Sequence, residues 1–376
     1  MRIGIDVRTI GKNRTGDETY ISNLVINLAK QDKVNEYFLF TDVADISHIE
    51  LFKTLPETFK VISILPANKL IWTMVLLPMK AHSLKLDILH ALYITPLFLP
   101  KRTKLVTTIH DVSWQFLPEY IQKKDLFILN TLIPKSIKRA DVVLTISENS
   151  RKDILKFYPT TKPGKVKTIY IGGSVRSADA PGPFDSSRWG GVEPQNYILY
   201  LGTLQPRKNV PSLIEAYIEM HKTFASQFKV FPKLLIVGGR GHNFDTRIDE
   251  RVAAFAHKEL ILFPGYVSEK EKQSLIENAS MFVYPSLYEG FGIPPLEAMS
   301  SSIPCIVSNR SCLPEVVGNG ACIVEPDDTA AFAAALFSVM TDMGVRKTLI
   351  ENGLKKEKEY TWEKMVKQTL EVYKSL

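Results

Sequence analysis

The sequence predicts an α/β protein made of two doubly wound, parallel-sheet domains, and three observations carry that prediction. Apolar, β-branched runs of six or seven residues recur along the chain with helical patterns between them. The alternation stops at a stretch rich in Gly, Ser, Pro and Asp and then begins again. The length of 376 residues suits two domains, at roughly 150 residues each.

The first set of runs is RIGIDV (2–7), EYFLFTD (36–42), FKVISIL (59–65), LDILHAL (86–92), LVTTIHD (105–111), DVVLTIS (141–147) and VKTIYIG (166–172). Continuous apolar strands separated by helices imply a parallel sheet covered on both faces. Between the first two, Tyr20, Ile21, Leu24, Val25 and Leu28 recur at helical spacing behind Asp17, which is expected to cap that helix. The aperiodic string GGSVRSADAPGPFDSSRWGGVEP then reads as a linker, set at 173–194 between domains 1–172 and 195–360. The second set is YILYLGT (197–203), KLLIVGG (233–239), LILFPGY (260–266), MFVYPS (281–286), IPCIVS (303–308) and ACIVEP (321–326). Residues 361–376, with Trp362, Met365, Val366, Leu370 and Val372, form a last helix. Two Rossmann-like domains with a cleft between them follow, and ligands in such sheets bind beyond the carboxyl ends of the strands.

A composition of 45% hydrophobic and 23% charged residues excludes disorder, collagen and coiled coil. No apolar run reaches the roughly 18 residues of a membrane span; the longest candidate, Leu70 to Pro78, contains Thr73. The start MRIGIDVRTI has no signal-peptide grammar, so a cytoplasmic location is expected. Cys305, Cys312 and Cys322 lack metal-binding spacing and read as core thiols. Residues 1–172 hold 25 basic and 16 acidic side chains, while the remainder hold 22 and 24. A basic first half attracts phosphate-bearing partners or an anionic membrane. No nucleic-acid reader motif accompanies it, so no nucleic acid is expected.

The most specific string is YPSLYEGFGIPPLEAMS, Tyr284 to Ser300, which holds Glu289 and Glu297 with seven residues between them. Gly290, Gly292, Pro294 and Pro295 prevent a regular helix across that interval, which leaves Glu289 on a loop. Pro295 suits a first helical turn, putting Glu297 within that turn and free amides ahead of it. Such an end attracts anions, the glycines admit close backbone approach, and carboxylates accept from sugar hydroxyls. A phosphate joined to a polyol is what a nucleotide sugar presents; the plainer alternative is a Gly/Pro turn with a Glu near a helix dipole. The second constellation is GTLQPRKN, Gly202 to Asn209, where adjacent Arg207 and Lys208 stand at the mouth of a strand. They suit a diphosphate clamp, although alone they would read as two solvated cations.

These strings, with SIPCIVSNRSCLPEVVG and TIHDVSW, make the chain resemble the retaining glycosyltransferases of family 4, of GT-B fold, through nearly its whole length. The resemblance implies a nucleotide-sugar donor on the second domain and an acceptor on the first. The terminal helix is then expected to return to the first domain. Residue by residue, it implies that Arg207 and Lys208 neutralise the diphosphate and that Glu289 contacts the donor sugar. Glu297 then contacts the ribose, Gly202, Gly290, Phe291 and Gly292 bring backbone to the donor, and His110 contacts the transferred sugar. Taken alone, a His at a strand end is more often a hydrogen-bonded structural residue.

Two departures stand out. Relatives show Gly-Ile-Gly-Arg-Tyr where this chain has Gly16-Asp17-Glu18-Thr19-Tyr20, so the loop of Gly11 and Gly16 keeps its flexibility while its acidic pair repels phosphate unless turned elsewhere. Ser302 replaces a Gly before proline. The Gly238-Gly239 pair signals close helix packing as readily as nucleotide contact. No Asp-x-Asp occurs, so no metal is expected and Arg207 and Lys208 take its place. KLIWTMVLLPMK, Lys69 to Lys80, reads either as a buried helix or as an amphipathic membrane contact. The reading is a metal-independent transferase, with mannose from GDP-mannose preferred over a UDP-sugar. Its acceptor is a glycan, glycolipid or lipid-linked precursor of cell-surface polysaccharide. A sugar-nucleotide epimerase or hydrolase of the same fold, or a non-catalytic sugar-binding protein, is the alternative.

Overall fold

The computed structural model describes residues 1–12, 16–65, 68–173, 183–241 and 243–376. The chain divides into two compact units, Met1–Gly172 with Thr361–Leu376, and Gly173–Tyr360. Residues 174–182 of the expected linker, and 13–15 of the first glycine loop, lie outside the described residues. The stretch after 182 packs on the second unit, where Trp189 and Val192 are buried and Phe184 stacks on Tyr197.

In the first unit β1 (Arg2–Asp6), β2 (Glu36–Thr41), β3 (Phe59–Ser63), β4 (Ile88–Leu92), β5 (Lys104–Thr108), β6 (Val142–Thr145) and β7 (Val166–Thr168) form one sheet. Its order is β3-β2-β1-β4-β5-β6-β7, and every neighbouring pair is parallel. The second unit contributes β8 (Tyr197–Leu201), β9 (Lys233–Val237), β10 (Ile261–Gly265), β11 (Met281–Tyr284), β12 (Cys305–Ser308) and β13 (Ala321–Val324). Their order is β10-β9-β8-β11-β12-β13, again all parallel. Each strand falls on one of the expected runs, most of them trimmed at the carboxyl end where the chain turns into a loop. Burial explains the runs: every residue of β8 is buried, as are Ile3, Ile5, Leu105, Val106 and Val143. Such strands have helices on both faces and need no polar alternation.

The strand orders also fix where loops from neighbouring strands part. Each order reverses direction once, between β1 and β4 in the first sheet and between β8 and β11 in the second. Loops leaving adjacent strands in opposite directions open a crevice there, which is where ligands of doubly wound sheets bind.

The last helix, Trp362–Lys374, returns to the first unit, with Thr361 capping it by accepting from the Lys364 amide. Met365, Val366, Thr369, Val372 and Tyr373 are buried. Trp362 lies so close to Gly172 that a Cβ there would sit 2.4 Å from the indole. The Tyr373 hydroxyl is 2.6 Å from His90 Nδ1 on β4, and His90 Nε2 is 2.7 Å from Thr108 Oγ1 on β5. Burial pushes His90 down to about 3, so the ring is a neutral bridge between helix and sheet.

Three local expectations are corrected. Asp17 does not cap the first helix, which runs Gly16–Gln31 with Asp17 inside its first turn, because its carboxylate is drawn to His110 instead. Gly238 packs against a neighbouring strand end and not against a helix: its φ is +155°, and a Cβ there would lie 1.8 Å from the Gly202 carbonyl oxygen. It lets the ends of β8 and β9 approach each other. The stretch from Lys69 is neither wholly buried nor one regular helix. A turn at Lys69–Ile71, a π-helical turn at Trp72–Leu76 and the helix Leu77–Ser83 follow each other. Trp72, Leu77 and Ala81 enter the core, while Leu70, Ile71, Val75 and Met79 are exposed. No helix among the described residues is long and apolar enough to cross a membrane.

Tyr373→Phe leaves the buried Nδ1 of His90 without its partner. It should lower unfolding free energy by about 1–3 kcal/mol in a urea titration. An unchanged midpoint and slope would show that the His90 bridge does not anchor the terminal helix.

Candidate functional site

The second unit gathers its charged residues at the reversal between β8 and β11. After β8 the chain passes Gly202 and makes a tight turn at Pro206–Lys208. Asn209, at φ +53°, then opens the helix Val210–Phe224. Asn tolerates this left-handed conformation better than most side chains. After β11 the chain runs through Ser286 to Gly292, and the Leu287 amide donates to the Arg207 carbonyl at 2.8 Å, joining the two loops.

Glu289 sits between the cations. Lys208 Nζ donates to Glu289 Oε1 at 2.6 Å and to the Tyr284 hydroxyl at 2.5 Å. Arg207 Nη1 donates to Glu289 Oε2 and to the Tyr288 carbonyl, both at 3.1 Å. The side chains of Lys208 and Glu289 are only 8% and 10% exposed, whereas Arg207 is 31% exposed. Burial alone would raise the Glu289 carboxyl, but Lys208 and Arg207 outweigh it and hold the group down at about 2. Two cations against one carboxylate leave a net positive charge beside a half-open guanidinium. An incoming dianion is attracted to such a cluster.

The Glu289 loop is braced from the next crossover. Ser311 Oγ donates to the Glu289 carbonyl at 2.7 Å, and Cys312 Sγ donates to the carbonyls of Glu289 and Phe291 at 3.1 Å each. Cys312 is thus a buried thiol, as expected of a core cysteine, and also a clamp on the loop. Cys305 is buried too, while Cys322 is half-buried. Gly292, at φ +102°, lies so close to Leu313 that a Cβ would meet its Cδ2 at 2.8 Å.

Glu297 departs from expectation. The helix runs Ile293–Ser300, so Pro294 and Pro295 occupy its first turn and Glu297 lies one turn further in. Gly292 takes the left-handed position ahead of the helix, which therefore starts two residues earlier than Pro295 alone suggests. Glu297 does not join Arg207 or Lys208; its Oε1 accepts from Lys272 Nζ at 2.8 Å, and Lys272 also pairs with Glu269 at 3.0 Å. Burial raises the Glu297 carboxyl, and Lys272 only partly offsets it.

In the first unit His110 lies two residues beyond β5. Its Nδ1 is 2.7 Å from Asp17 Oδ1. The ring stands edge-on to Tyr20 at 4.7 Å and to Tyr93 at 5.6 Å between centroids. Gly16 opens the helix that carries Asp17, and the Gly11 amide donates to Glu18 Oε1 at 2.8 Å. Both acidic residues of the departing loop are therefore turned to partners within the fold. Among the described residues no group of three or more His, Cys, Asp or Glu is arranged to hold a metal ion.

The sequence reading missed Tyr284, Ser311, Cys312, Lys272 and the Asp17–His110 contact. Tyr284 opens the quoted Glu-rich string and SNRSC was noted only as a string, so signals for these existed without an assigned role. Nothing in the local sequence pairs Lys272 with Glu297 across 25 positions.

A family model described as Glycosyltransferase Family 4 matches residues 15–173, and one described as Glycosyl transferases group 1 matches 184–356. The O-antigen chain mannosyltransferase B of Escherichia coli is 31% identical over 286 residues, covering 74% of this chain and 72% of that protein. The chain belongs to glycosyltransferase family 4. This family 4 chain also resembles the O-antigen chain mannosyltransferase RfbU of Salmonella typhimurium, at 32% identity over 62% of the chain and 60% of that protein. Among solved structures, a sucrose-phosphate synthase from Thermosynechococcus elongatus superposes with a TM-score of 0.74 at 20% identity, covering 100% of this chain and 98% of that one. Anabaena Alr3699/HepE in complex with UDP-glucose gives 0.71 at 15%, covering both chains completely. These likenesses show the fold, two Rossmann-like domains of the GT-B class.

Glu289 has a depressed carboxyl, so its contribution to stability is complete above its ordinary value of 4.5 and is lost as pH falls through about 2. Glu289→Gln takes the carboxylate away from the largely buried Lys208 and should cost about 3–5 kcal/mol near neutral pH. Urea unfolding across a pH series should also show a flatter acid limb than the wild type. Equal stability with parallel pH profiles would mean that the ion pair is not formed.

Proposed function

We propose that this family 4 glycosyltransferase moves a mannosyl group from GDP-mannose, with retention at the anomeric carbon, to a glycan or lipid-linked acceptor of cell-surface polysaccharide. The convergence of Arg207, Lys208 and Glu289 at the switch point of the second sheet carries this reading. The choice of mannose is supported by two relatives that are named O-antigen mannosyltransferases.

In this reading the exposed edge of Arg207 meets the diphosphate first, and Lys208 exchanges part of its bond to Glu289 for a phosphate oxygen. Glu289, relieved of one cation, accepts from hydroxyls of the donor sugar. Gly202, Gly290, Phe291 and Gly292 bring backbone close to the donor, Glu297 serves the ribose, and His110 contacts the transferred sugar. Charge accumulates on the β-phosphate as the glycosidic bond breaks, and Arg207 and Lys208 stabilise it in the role that a metal ion fills elsewhere. The acceptor oxygen bonds to the anomeric carbon as that carbon leaves the phosphate oxygen, which takes up the acceptor's proton.

Calorimetric titration with GDP, UDP and ADP, in chelator and then with Mg²⁺, followed by transfer assays with the matching sugar nucleotides, tests this. GDP should bind without metal, and Arg207→Ala should slow transfer by about 10²–10³-fold. If Arg207→Ala, Lys208→Ala and His110→Ala all transfer at the wild-type rate, the site is wrong. Release of free sugar or an epimer with no dependence on acceptor would replace transfer with hydrolysis or epimerisation.

The exposed Leu70, Ile71, Val75 and Met79, flanked by Lys69 and Lys80, support peripheral contact of the first unit with an anionic membrane. The chain should sediment with vesicles containing anionic lipid, and Ile71→Ser with Met79→Ser should reduce the bound fraction. Wild-type chain left wholly in the supernatant at low salt would refute the contact.

A further inference from the structure

We propose that Asp17 is a positioning residue for His110, holding its ring with the proton on Nδ1 so that Nε2 accepts a hydrogen bond from a sugar hydroxyl. The inference rests on the transferase reading above but concerns a residue to which that reading assigns no part.

The observations lie within the first unit. Asp17 is in the first turn of the helix that follows β1, and His110 follows β5, 93 positions later. The 2.7 Å separation of Nδ1 and Oδ1 is that of a charge-assisted bond. Hydrogen bonding to His110 helps hold the Asp17 carboxyl below the usual carboxylate range against the opposing effect of its burial. An ionised carboxylate only accepts, so Nδ1 must be the donor, and a neutral imidazole then carries its lone pair on Nε2. The ring cannot easily turn away from this arrangement, because Tyr20 and Tyr93 stand edge-on to it. Tyr20 is held in turn by Thr108 Oγ1 at 3.0 Å, the same oxygen that accepts the neutral His90 as a partner.

Nε2 itself is buried and has no hydrogen-bond partner among the described residues, although His110 is only 6% exposed. A buried nitrogen with a fixed lone pair and no partner calls for a donor from a ligand. Hydroxyl groups are the donors that a sugar carries in number, whether on the transferred residue or on the acceptor. A purely structural Asp17–His110 bond would fix the same tautomer, but its loss would leave transfer unchanged in a variant that still folds and binds GDP.

The tautomer is read on the full chain labelled with ¹⁵N-histidine, at a pH of about 8 where an ordinary imidazole is neutral, and transfer by the same chain and its variants separates the two roles. The His110 signals are assigned from their loss in His110→Gln. The wild type should show the proton on Nδ1. Asp17→Asn keeps the size of the side chain but can offer Nδ1 either its amide donor or its carbonyl acceptor, so it should give a mixture of tautomers, as should Asp17→Ala. Both variants should stay folded, Asp17→Ala with a lowered melting temperature because the buried Nδ1 loses its partner, and both should bind bare GDP within about two-fold, while kcat/KM for transfer falls about 10–100-fold, the range typical of lost orienting partners. If the donor supplies the hydroxyl, GDP-mannose binds the variants more weakly although GDP does not; if the acceptor supplies it, the acceptor KM rises instead. A wild-type proton on Nε2, or wild-type transfer by Asp17→Ala, overturns the proposal. Wild-type chain that binds no nucleotide and transfers nothing would sink the proposed function, and the tautomer measurement would still report on Asp17 by itself.

Discussion

A carboxylate shared by two cations in a largely buried position is the constraint on which the second unit's site depends. Taking Lys208 and Glu289 out of water is expensive, and an ion pair in such a place is weak evidence for stability. Its value here is orientation. Glu289 holds Arg207 and Lys208 from between them, so in the proposed function little ordering remains for the moment of donor binding. The bracing by Ser311 and Cys312 serves the same end, since a loop rich in glycine and proline would otherwise leave Glu289 without a fixed position.

The sheet order makes this cluster possible. Residues 207 and 289 are far apart in the chain, yet β8 and β11 are neighbours and their loops leave in opposite directions. The first unit repeats the device with other chemistry. There β1 and β4 are neighbours at the reversal, the helix after β1 supplies Asp17, and β4 and β5 supply the His90 and Thr108 pair beneath Tyr20. The terminal helix reaches the same sheet through Tyr373, so its register and that of the His90 bridge are set together.

How much of this was legible in the sequence depends on the range of the interaction. The thirteen strands of the described residues were readable because a doubly covered strand needs a continuous apolar run, and that requirement is local. Arg207, Lys208 and Glu289 were readable as residue types at strand ends next to glycine and proline. Their mutual bonding was not, because it follows from strand order. Helix starts failed where a single residue had a distant claim on it: Asp17 looked like a cap and is instead bound to His110. Glu297 was placed in a first turn because Gly292 in a left-handed conformation was not anticipated. Cys312 was recognised as buried, but its bonds to the Glu289 and Phe291 carbonyls depend on two crossovers meeting.

The most direct test of the central claim is a crystal structure of the chain with GDP. The account predicts diphosphate oxygens within hydrogen-bond distance of both Arg207 and Lys208, with at least one of the Glu289 bonds to these cations released. A diphosphate bound elsewhere, with the Lys208–Glu289–Arg207 bridge intact, would contradict it.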